Sequence, residues 1–239
     1  MNPPDLSVVI PAYNEAARLP RTLARLSEYL GRGRGSYEIL LVDDGSRDAT
    51  AERAAEAGAG VTVLRNDTNR GKGYAVRRGM LASRGARVLM TDADLSTPIE
   101  ELPRLAARMD EGYDAVIASR ALPGARIEVR QPWYRENMGR LFNLAVRLLV
   151  IGGVRDTQCG FKLFAGEPGR AIFSACRLDG FCFDVEALFI ARMRGYRVAE
   201  VPVTWRNDAA TRVGNWRGFV AFLDLARIRG NALGGRYRL

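Results

Sequence analysis

The chain has 239 residues, 47% of them hydrophobic, a net charge of +9 and no histidine, which fits one large globular unit with a continuous core and argues against disorder. Its three cysteines, Cys159, Cys176 and Cys182, form no CxxC and cannot all pair, so neither a disulfide framework nor a zinc site is expected and a reduced, cytosolic compartment is the simpler reading. The charge is one-sided: residues 1–120 carry 17 Arg/Lys against 17 Asp/Glu, and residues 121–239 carry 19 against 10. A second half facing something anionic accounts for this, and so does an arginine-rich surface in a chain with 34 Arg and 2 Lys.

The N-terminus has no basic n-region and enters a strand at Leu6, so no secretory signal is expected. The run over 6–10, ended by Pro11, reads as a buried strand. Leu19, Leu23, Leu26 and Leu30 recur at helical spacing, with Pro20 tolerable in a first turn and glycines at 31–35 ending the helix. A strand over 38–42 stops at Asp43-Asp44-Gly45-Ser46, and a helix follows from about Asp48, a plausible N-cap. The alternation continues with strands at 61–65, 87–91 and 114–118 and helices at 73–84 and 99–111. Strands alternating with helices predict an α/β fold, a parallel sheet covered on both faces, with ligands at the carboxyl ends of the strands.

Past Arg120 the rhythm changes, which places a soft boundary there: residues 1–120 as a first half and 121–239 as a second half of one unit. Residues 121–135 read as loop, 136–151 as an amphipathic helix and 156–165 as strand-like. A helix near 184–194, a strand at 197–203 and a basic helix at 216–229 follow. The longest apolar tract, 141–154, is broken by Arg147 and is shorter than the roughly 20 residues needed to span a bilayer.

Four polar clusters fall at predicted strand ends: Tyr13-Asn14-Glu15, Asp43 to Ser46, Asn69 to Gly73, and Asp92-Ala93-Asp94. In extended backbone, residues i and i+2 point the same way, so Asp92 and Asp94 can meet one hard cation such as Mg²⁺ or Mn²⁺ together with phosphate oxygens. The competing reading is a polar turn in which Asp94 or Ser96 caps the next helix. "DDGS" is either a self-bonded tight turn or an acceptor for nucleobase and ribose donors. "NRGKG" supplies glycines, two cations and a helix N-terminus, which favour phosphate, although it matches neither a P-loop nor a dinucleotide fingerprint and also reads as a plain loop.

The set "SVVIPAYNEAARLP", "LLVDDGS", "NRGKGYAVRRGM", "MTDADLSTP", "IASR" and "RDTQCGFKLF" with "FDVEALFIARMRGYRVAEVPVTW" resembles the dolichyl-phosphate β-glucosyltransferase branch of the family 2 glycosyltransferases. The resemblance covers nearly the whole chain in order. It implies the GT-A fold, a Rossmann-like, mostly parallel sheet, here with C-terminal amphipathic interfacial helices. It also implies inverting, metal-dependent transfer of glucose from UDP-glucose to a polyprenyl phosphate. The related mannosyltransferases, which use GDP-mannose, share the N-terminal motifs.

By that resemblance Pro11, Tyr13, Glu15 and Asp43 or Asp44 hold the nucleoside, Gly71 and Lys72 line the donor site, and Asp92 and Asp94 ligate Mg²⁺ or Mn²⁺. The mannosyltransferases place Gln as a third ligand where this chain has Ser96. Arg120, Arg135 (with Arg130 as a partner) and either Arg206 or Arg212 match phosphate-handling arginines, and guanidinium forks suit paired phosphates. Asp156 matches an acidic position near the acceptor, expected to orient it or act as a weak base. Asp184 and Glu186 either orient the acceptor loop or cap a helix.

A lipid acceptor requires a bilayer. The 136–151 helix can place Leu141, Phe142, Leu144, Ala145, Leu148 and Leu149 broadly on one side, and the tail from Trp205 onward carries seven Arg with Trp216, Phe219, Phe222 and Tyr237 interleaved. Together they suit peripheral attachment to an anionic membrane face, and a core helix with a solvated tail is the alternative. Two other functions compete: a glycosyltransferase with a soluble saccharide acceptor, and a basic nucleic-acid-binding module. The latter lacks any RRM, KH or zinc pattern and carries acidic clusters that repel a phosphate backbone.

Overall fold

The computed structural model describes residues 3–33, 35–58, 60–129, 133–207 and 217–238, without the side chains of 134–136 and 217–220. The strands are β1 (Leu6–Ala12), β2 (Tyr37–Asp43), β3 (Val61–Arg65), β4 (Arg87–Thr91), β5 (Ala115–Ser119), β6 (Arg126–Val129), β7 (Phe161–Ala165), β8 (Val198–Pro202) and β9 (Thr204–Arg206). The helices are α1 (Leu19–Gly31), α2 (Thr50–Ala55), α3 (Lys72–Ala82), α4 (Leu102–Asp110), α5 (Trp133–Leu149), α6 (Gly166–Ala175), α7 (Phe183–Met193) and α8 (Arg217–Leu233).

Seven strands form one sheet in the order β3-β2-β1-β4-β7-β5-β8, parallel except for β7, which runs antiparallel to both β4 and β5. The pleat divides the apolar residues between two cores. Val8, Ile10, Ile39 and Leu41 face α1 and α4 through Leu19, Leu23, Leu26, Leu105 and Met109. Val9, Leu40 and Val42 face the other core, which α3, α5, α6, α7 and α8 complete.

The structure corrects two expectations and adds a helix. The strand-like stretch 156–165 narrows to β7, and its reversed direction brings its beginning, rather than its end, to the carboxyl edge of the parallel strands. Helix α6 falls in a stretch, 166–175, that the sequence reading left unassigned, and it opens with Gly166, Pro168 and Gly169. Those glycines are needed for close approach: a Cβ on Gly166 would lie 2.3 Å from the Gly85 carbonyl oxygen, and one on Gly169 would lie 2.9 Å from Phe164 Cβ. The loop expected over 121–135 contains β6, which pairs in parallel with β9 as a separate two-stranded sheet.

Candidate active site

Ala12 is in register with Asp43, and Asp43 with Arg65. The ends of β1, β2 and β3 therefore lie side by side, and β4, also parallel to β1, ends at the same edge. Thr91 pairs with Phe161 at the start of antiparallel β7, so Asp156, Cys159 and Gly160 reach this edge from the opposite chain direction. Arg120 follows β5 immediately. All four polar clusters read from the sequence converge here.

Asp92 and Asp94 point into one small pocket lined also by Thr91, Ser96, Thr97, Gly160 and Trp205. Ala93 faces the opposite core, and its carbonyl accepts from Thr22 Oγ1 at 2.6 Å. Leu95 has φ +46°, a left-handed conformation costly for a branched side chain, which turns the backbone back so that Ser96 N donates to Asp94 Oδ1 at 2.9 Å. The Ser96 carbonyl is pinned by Arg206 N at 2.8 Å. Burial, then the neighbouring Asp92 charge, pushes the Asp94 carboxyl above its usual value.

An oxygen-only donor set of two carboxylates and hydroxyls fits a hard divalent ion, and a cation relieves the repulsion between the two carboxylates. Among the described residues no cluster of three His, Cys, Asp or Glu side chains could hold a metal, and the further oxygens lining the pocket are the hydroxyls of Thr91, Ser96 and Thr97. Ser96 is the hydroxyl-bearing neighbour placed by the sequence reading.

Gly160 is built into this geometry. Its Cα faces the Asp92 carboxylate so closely that an added Cβ would lie 1.9 Å from Oδ2. Gly160→Ala is expected to displace Asp92 and lower turnover by about 10²-fold, the usual cost of roughly 1 Å misplacement. Steady-state kinetics beside thermal unfolding would check this, with turnover falling far more than stability.

The two aspartates of "DDGS" separate in role. Asp44 is fully engaged: Oδ1 accepts from Asn66 Nδ2 (2.7 Å) and Arg70 N (3.0 Å), and Oδ2 from Gly71 N (2.8 Å). Asp43 Oδ1 accepts from Ser46 N at 3.0 Å, while its buried Oδ2 has no hydrogen-bond partner and is ion-paired with Arg65 Nε at 3.5 Å. A buried carboxylate oxygen with no hydrogen bond is costly even beside a guanidinium, and a ligand N–H would satisfy it. Tyr13 is exposed and Pro11 and Glu15 half-buried nearby in sequence, with Glu15 N donating to Thr50 Oγ1 at 2.8 Å. Asp48 caps the start of α2, as the sequence suggested, from one residue before the Ala49 boundary: its carboxylate accepts from Thr50 N, the first residue of the helix, at 3.1 Å.

"NRGKG" does not offer its helix N-terminus to phosphate, which corrects the sequence reading. Gly73 N and Tyr74 N donate to the Asp179 carbonyl, at 2.8 and 3.3 Å, and Arg70 N and Gly71 N are held by Asp44. Gly71, at φ +110°, is pressed so closely on Asp179 that a Cβ would lie 2.3 Å from its carbonyl oxygen. Lys72 does reach the site, with Nζ 2.6 Å from Asp92 Oδ1. Burial works against its charge, but the carboxylates of Asp92 and Asp184 outweigh it and raise its proton affinity.

Asp156 is 1% exposed. Its Oδ2 accepts from Arg120 N (2.9 Å) and Nε (2.7 Å), and its Oδ1 from Nη2 (2.8 Å). Burial alone would raise its pKa; the Arg120 guanidinium prevails and holds the carboxyl below the usual range. The expectation of a weak base or acceptor-orienting carboxylate is therefore corrected: both oxygens are committed to Arg120. Asp156 positions Arg120, whose guanidinium also lies 5.3 Å from the Trp205 ring centroid.

Arg206 is exposed and its guanidinium pairs with Glu128. Arg130 and Arg212 lie outside the described residues, as does the Arg135 side chain in the first turn of α5. Asp184 and Glu186 do not act together. Asp184 pairs with Lys162 at 2.9 Å, whereas Glu186 clamps Arg177 N, Leu178 N and the Tyr237 hydroxyl at 2.7–2.9 Å. Three residues at this edge escaped the sequence reading: Gly160, Trp205 and Lys162. A lysine inside the apolar run "FKLF", in a chain with only two, was the available signal for the last.

The sheet, parallel except for one reversed strand, thus carries an acidic pair at its carboxyl edge. The model of glycosyl transferase family 2 matches residues 7–165, and the chain belongs to that family. It is 34% identical to the dolichyl-phosphate beta-glucosyltransferase of Homo sapiens, over 98% of this chain and 78% of the relative. Identity to the protein of that name from Dictyostelium discoideum is also 34%, over 98% of this chain and 76% of that one. Among solved structures, glucosyl-3-phosphoglycerate synthase from Mycobacterium tuberculosis, in complex with Mn²⁺, UDP and glucosyl-3-phosphoglycerate, shares the fold. The TM-score is 0.68 at 20% identity, over 97% of this chain and 80% of that one. Mannosyl-3-phosphoglycerate synthase from Rubrobacter xylanophilus gives 0.71 at 22% identity, over 99% and 76%.

Proposed function

We propose that this chain transfers glucose from UDP-glucose to a polyprenyl phosphate at an anionic membrane surface, with Mg²⁺ or Mn²⁺. The observation that carries the reading is the pocket in which Asp92 and Asp94 converge beside Lys72, at the edge where Arg120 also emerges. The relatives' names support the lipid phosphate and the hexose, and the complex of the Mycobacterium tuberculosis synthase supports UDP and Mn²⁺.

Asp43 favours uracil over guanine. Only Oδ2 lacks a hydrogen-bond partner, which suits the single imide N–H of uracil, whereas the guanine edge presents a ring N–H and an amino group together. Arg65, half-exposed and 3.5 Å away, is the side chain that would have to move aside to uncover this oxygen. Pro11, Tyr13 and Glu15 border the nucleoside.

A bound divalent ion would supply Lewis-acid stabilisation of the departing diphosphate. Asp92 and Asp94 would hold it, with Ser96 as the neutral oxygen beside them. Arg120, fixed by Asp156, presents a preorganised positive charge to a phosphate group. No strong base is required: a phosphate monoester has a second pKa near ~6 and is largely dianionic at neutral pH. That suits a chain without histidine whose Asp156 is committed elsewhere.

Helix α5 presents two apolar faces, a correction of the single side expected. Phe142 and Val146 enter the core, while Leu141, Leu144 and Leu148 are exposed at 58%, 43% and 73%. Phe142 packs edge-on against half-exposed Phe222 of α8, ring centroids 5.5 Å apart, so α8 extends the exposed apolar surface with Leu223. Among the described residues no helix is long and apolar enough to cross a membrane. An interfacial surface accounts for both facts.

The test crosses UDP-glucose, UDP-galactose and GDP-mannose with a polyprenyl phosphate in anionic liposomes and with a soluble phosphate monoester, with Mn²⁺ or EDTA. UDP-glucose with the lipid and Mn²⁺ is the expected productive combination. Preference for GDP-mannose, for the soluble acceptor, or undiminished turnover in EDTA would each overturn the corresponding part.

A further inference from the structure

The chain's two lysines, against 34 arginines, fall in one network. Lys162, 1% exposed as the second residue of β7, donates to Asp184 Oδ1 at 2.9 Å and also to the Cys159 carbonyl. Lys72 touches Asp92 at 2.6 Å, and the charges of Asp184 and Asp94 also act on it. The charges alternate as Lys162, Asp184, Lys72, Asp92, and Asp94 closes the row. Two ammonium groups thus face three carboxylates.

The contact between Lys72 and Asp92 occupies one of the two carboxylate oxygens that Asp92 can offer a divalent ion. A small hard ion takes a carboxylate oxygen at roughly 2.0–2.2 Å, so it meets the ammonium already hydrogen-bonded there, and the two positive charges repel. Arginine would lock onto the carboxylate as a planar fork. An ammonium is a compact charge with rotatable donors on a flexible stem, able to leave one oxygen for another. Lys162 holds Asp184 at 2.9 Å, and the Asp184 charge also acts on Lys72, so the lysine retains an anionic neighbour when it leaves Asp92.

We propose that Lys72 is a displaceable counter-cation of the metal-binding pair: it competes with the divalent ion for Asp92, and a nucleoside diphosphate relieves the competition by giving the ammonium another anionic partner. The inference rests on the metal and diphosphate reading above. It predicts that metal and nucleotide each tighten the other's binding, by the same factor, as linkage requires.

Mn²⁺ binding would be measured by electron paramagnetic resonance of the free ion, with and without UDP, on the wild type, Lys72→Met, Lys72→Arg and Arg70→Met, with thermal unfolding to verify the fold of each. Lys72→Met is expected to bind Mn²⁺ alone about tenfold more tightly than the wild type and to lose most of the tightening by UDP, within the usual range of coupling between sites. Lys72→Arg, which keeps a cation there, is expected to bind Mn²⁺ no more tightly than the wild type. Arg70 is exposed on the same loop and stacks 3.7 Å over Tyr74, so Arg70→Met removes an equal charge without touching Asp92 and is expected to change Mn²⁺ affinity little. Unchanged or weaker Mn²⁺ binding by Lys72→Met, or an equal gain in Arg70→Met, overturns the proposal while leaving the metal reading standing. A wild type that binds no Mn²⁺ even with UDP overturns both.

Discussion

Asp94→Ala is expected to lower transfer by about 10³-fold or more, the scale on which removing a preorganised electrostatic contributor at a reacting centre is felt. The size follows from how the residue is held. Asp94 shares its pocket with Asp92, and Ser96 N fixes one of its oxygens at 2.9 Å. Its carboxyl is pushed up by burial and then by Asp92, so the fold keeps two like charges close at some cost to stability. Lys72, 2.6 Å from Asp92, offsets part of that cost, and a divalent ion between the carboxylates would offset more. Asp94→Asn separates charge from shape, because its amide oxygen still accepts from Ser96 N. Both variants are expected to fold and to lose kcat/KM together with the response to added Mn²⁺. Wild-type-like turnover in Asp94→Asn would remove the pair from the chemistry.

The sequence carried the alternation of β1 to β5 with their helices, because apolar periodicity and glycine or polar breaks agree there with the tertiary structure. It carried the convergence of the polar clusters for the same reason: parallel strands put all their ends on one edge. It could not carry the direction of β7, since "FKLFA" has the same pattern in either sense, nor α6, where Gly166 and Gly169 serve close packing against Gly85 and Phe164. The division of labour between Asp43 and Asp44 was equally out of reach. Adjacent identical side chains differ only in which loop amides fold back on them, and the Asn66, Arg70 and Gly71 donors that occupy Asp44 are 22 to 27 residues away. Asp156 shows the opposite hazard. Its position in a family motif pointed to the acceptor, while its partner, 36 residues earlier at the end of β5, turns it into a support for Arg120.

The second large effect is on stability. Asp156→Ala removes the partner of a guanidinium that is itself only 27% exposed, at an aspartate side chain 2% exposed. Breaking a buried pair from one side costs about 3–5 kcal/mol, because the remaining charge is stranded. For a chain of this size each kcal/mol lowers Tm by roughly 2–4 °C, so a fall on the order of 10 °C is expected by calorimetry. Asp156→Asn retains one acceptor for Arg120 and lies between the two. The pH dependence identifies the source. The folded carboxyl is held below its usual value, so its stabilisation is complete above the unfolded pKa of ~3.9 and fades as pH falls through the lower folded value. The stability gap between the wild type and Asp156→Asn is therefore expected to stay constant from neutral pH down to about pH 5 and to shrink below about pH 4. Transfer is expected to fall as well, through a raised KM for the phosphate acceptor, because Arg120 loses its fixed orientation. A pH-independent gap would mean that Asp156 contributes by packing rather than by charge, and an unchanged acceptor KM would separate Arg120 from phosphate binding.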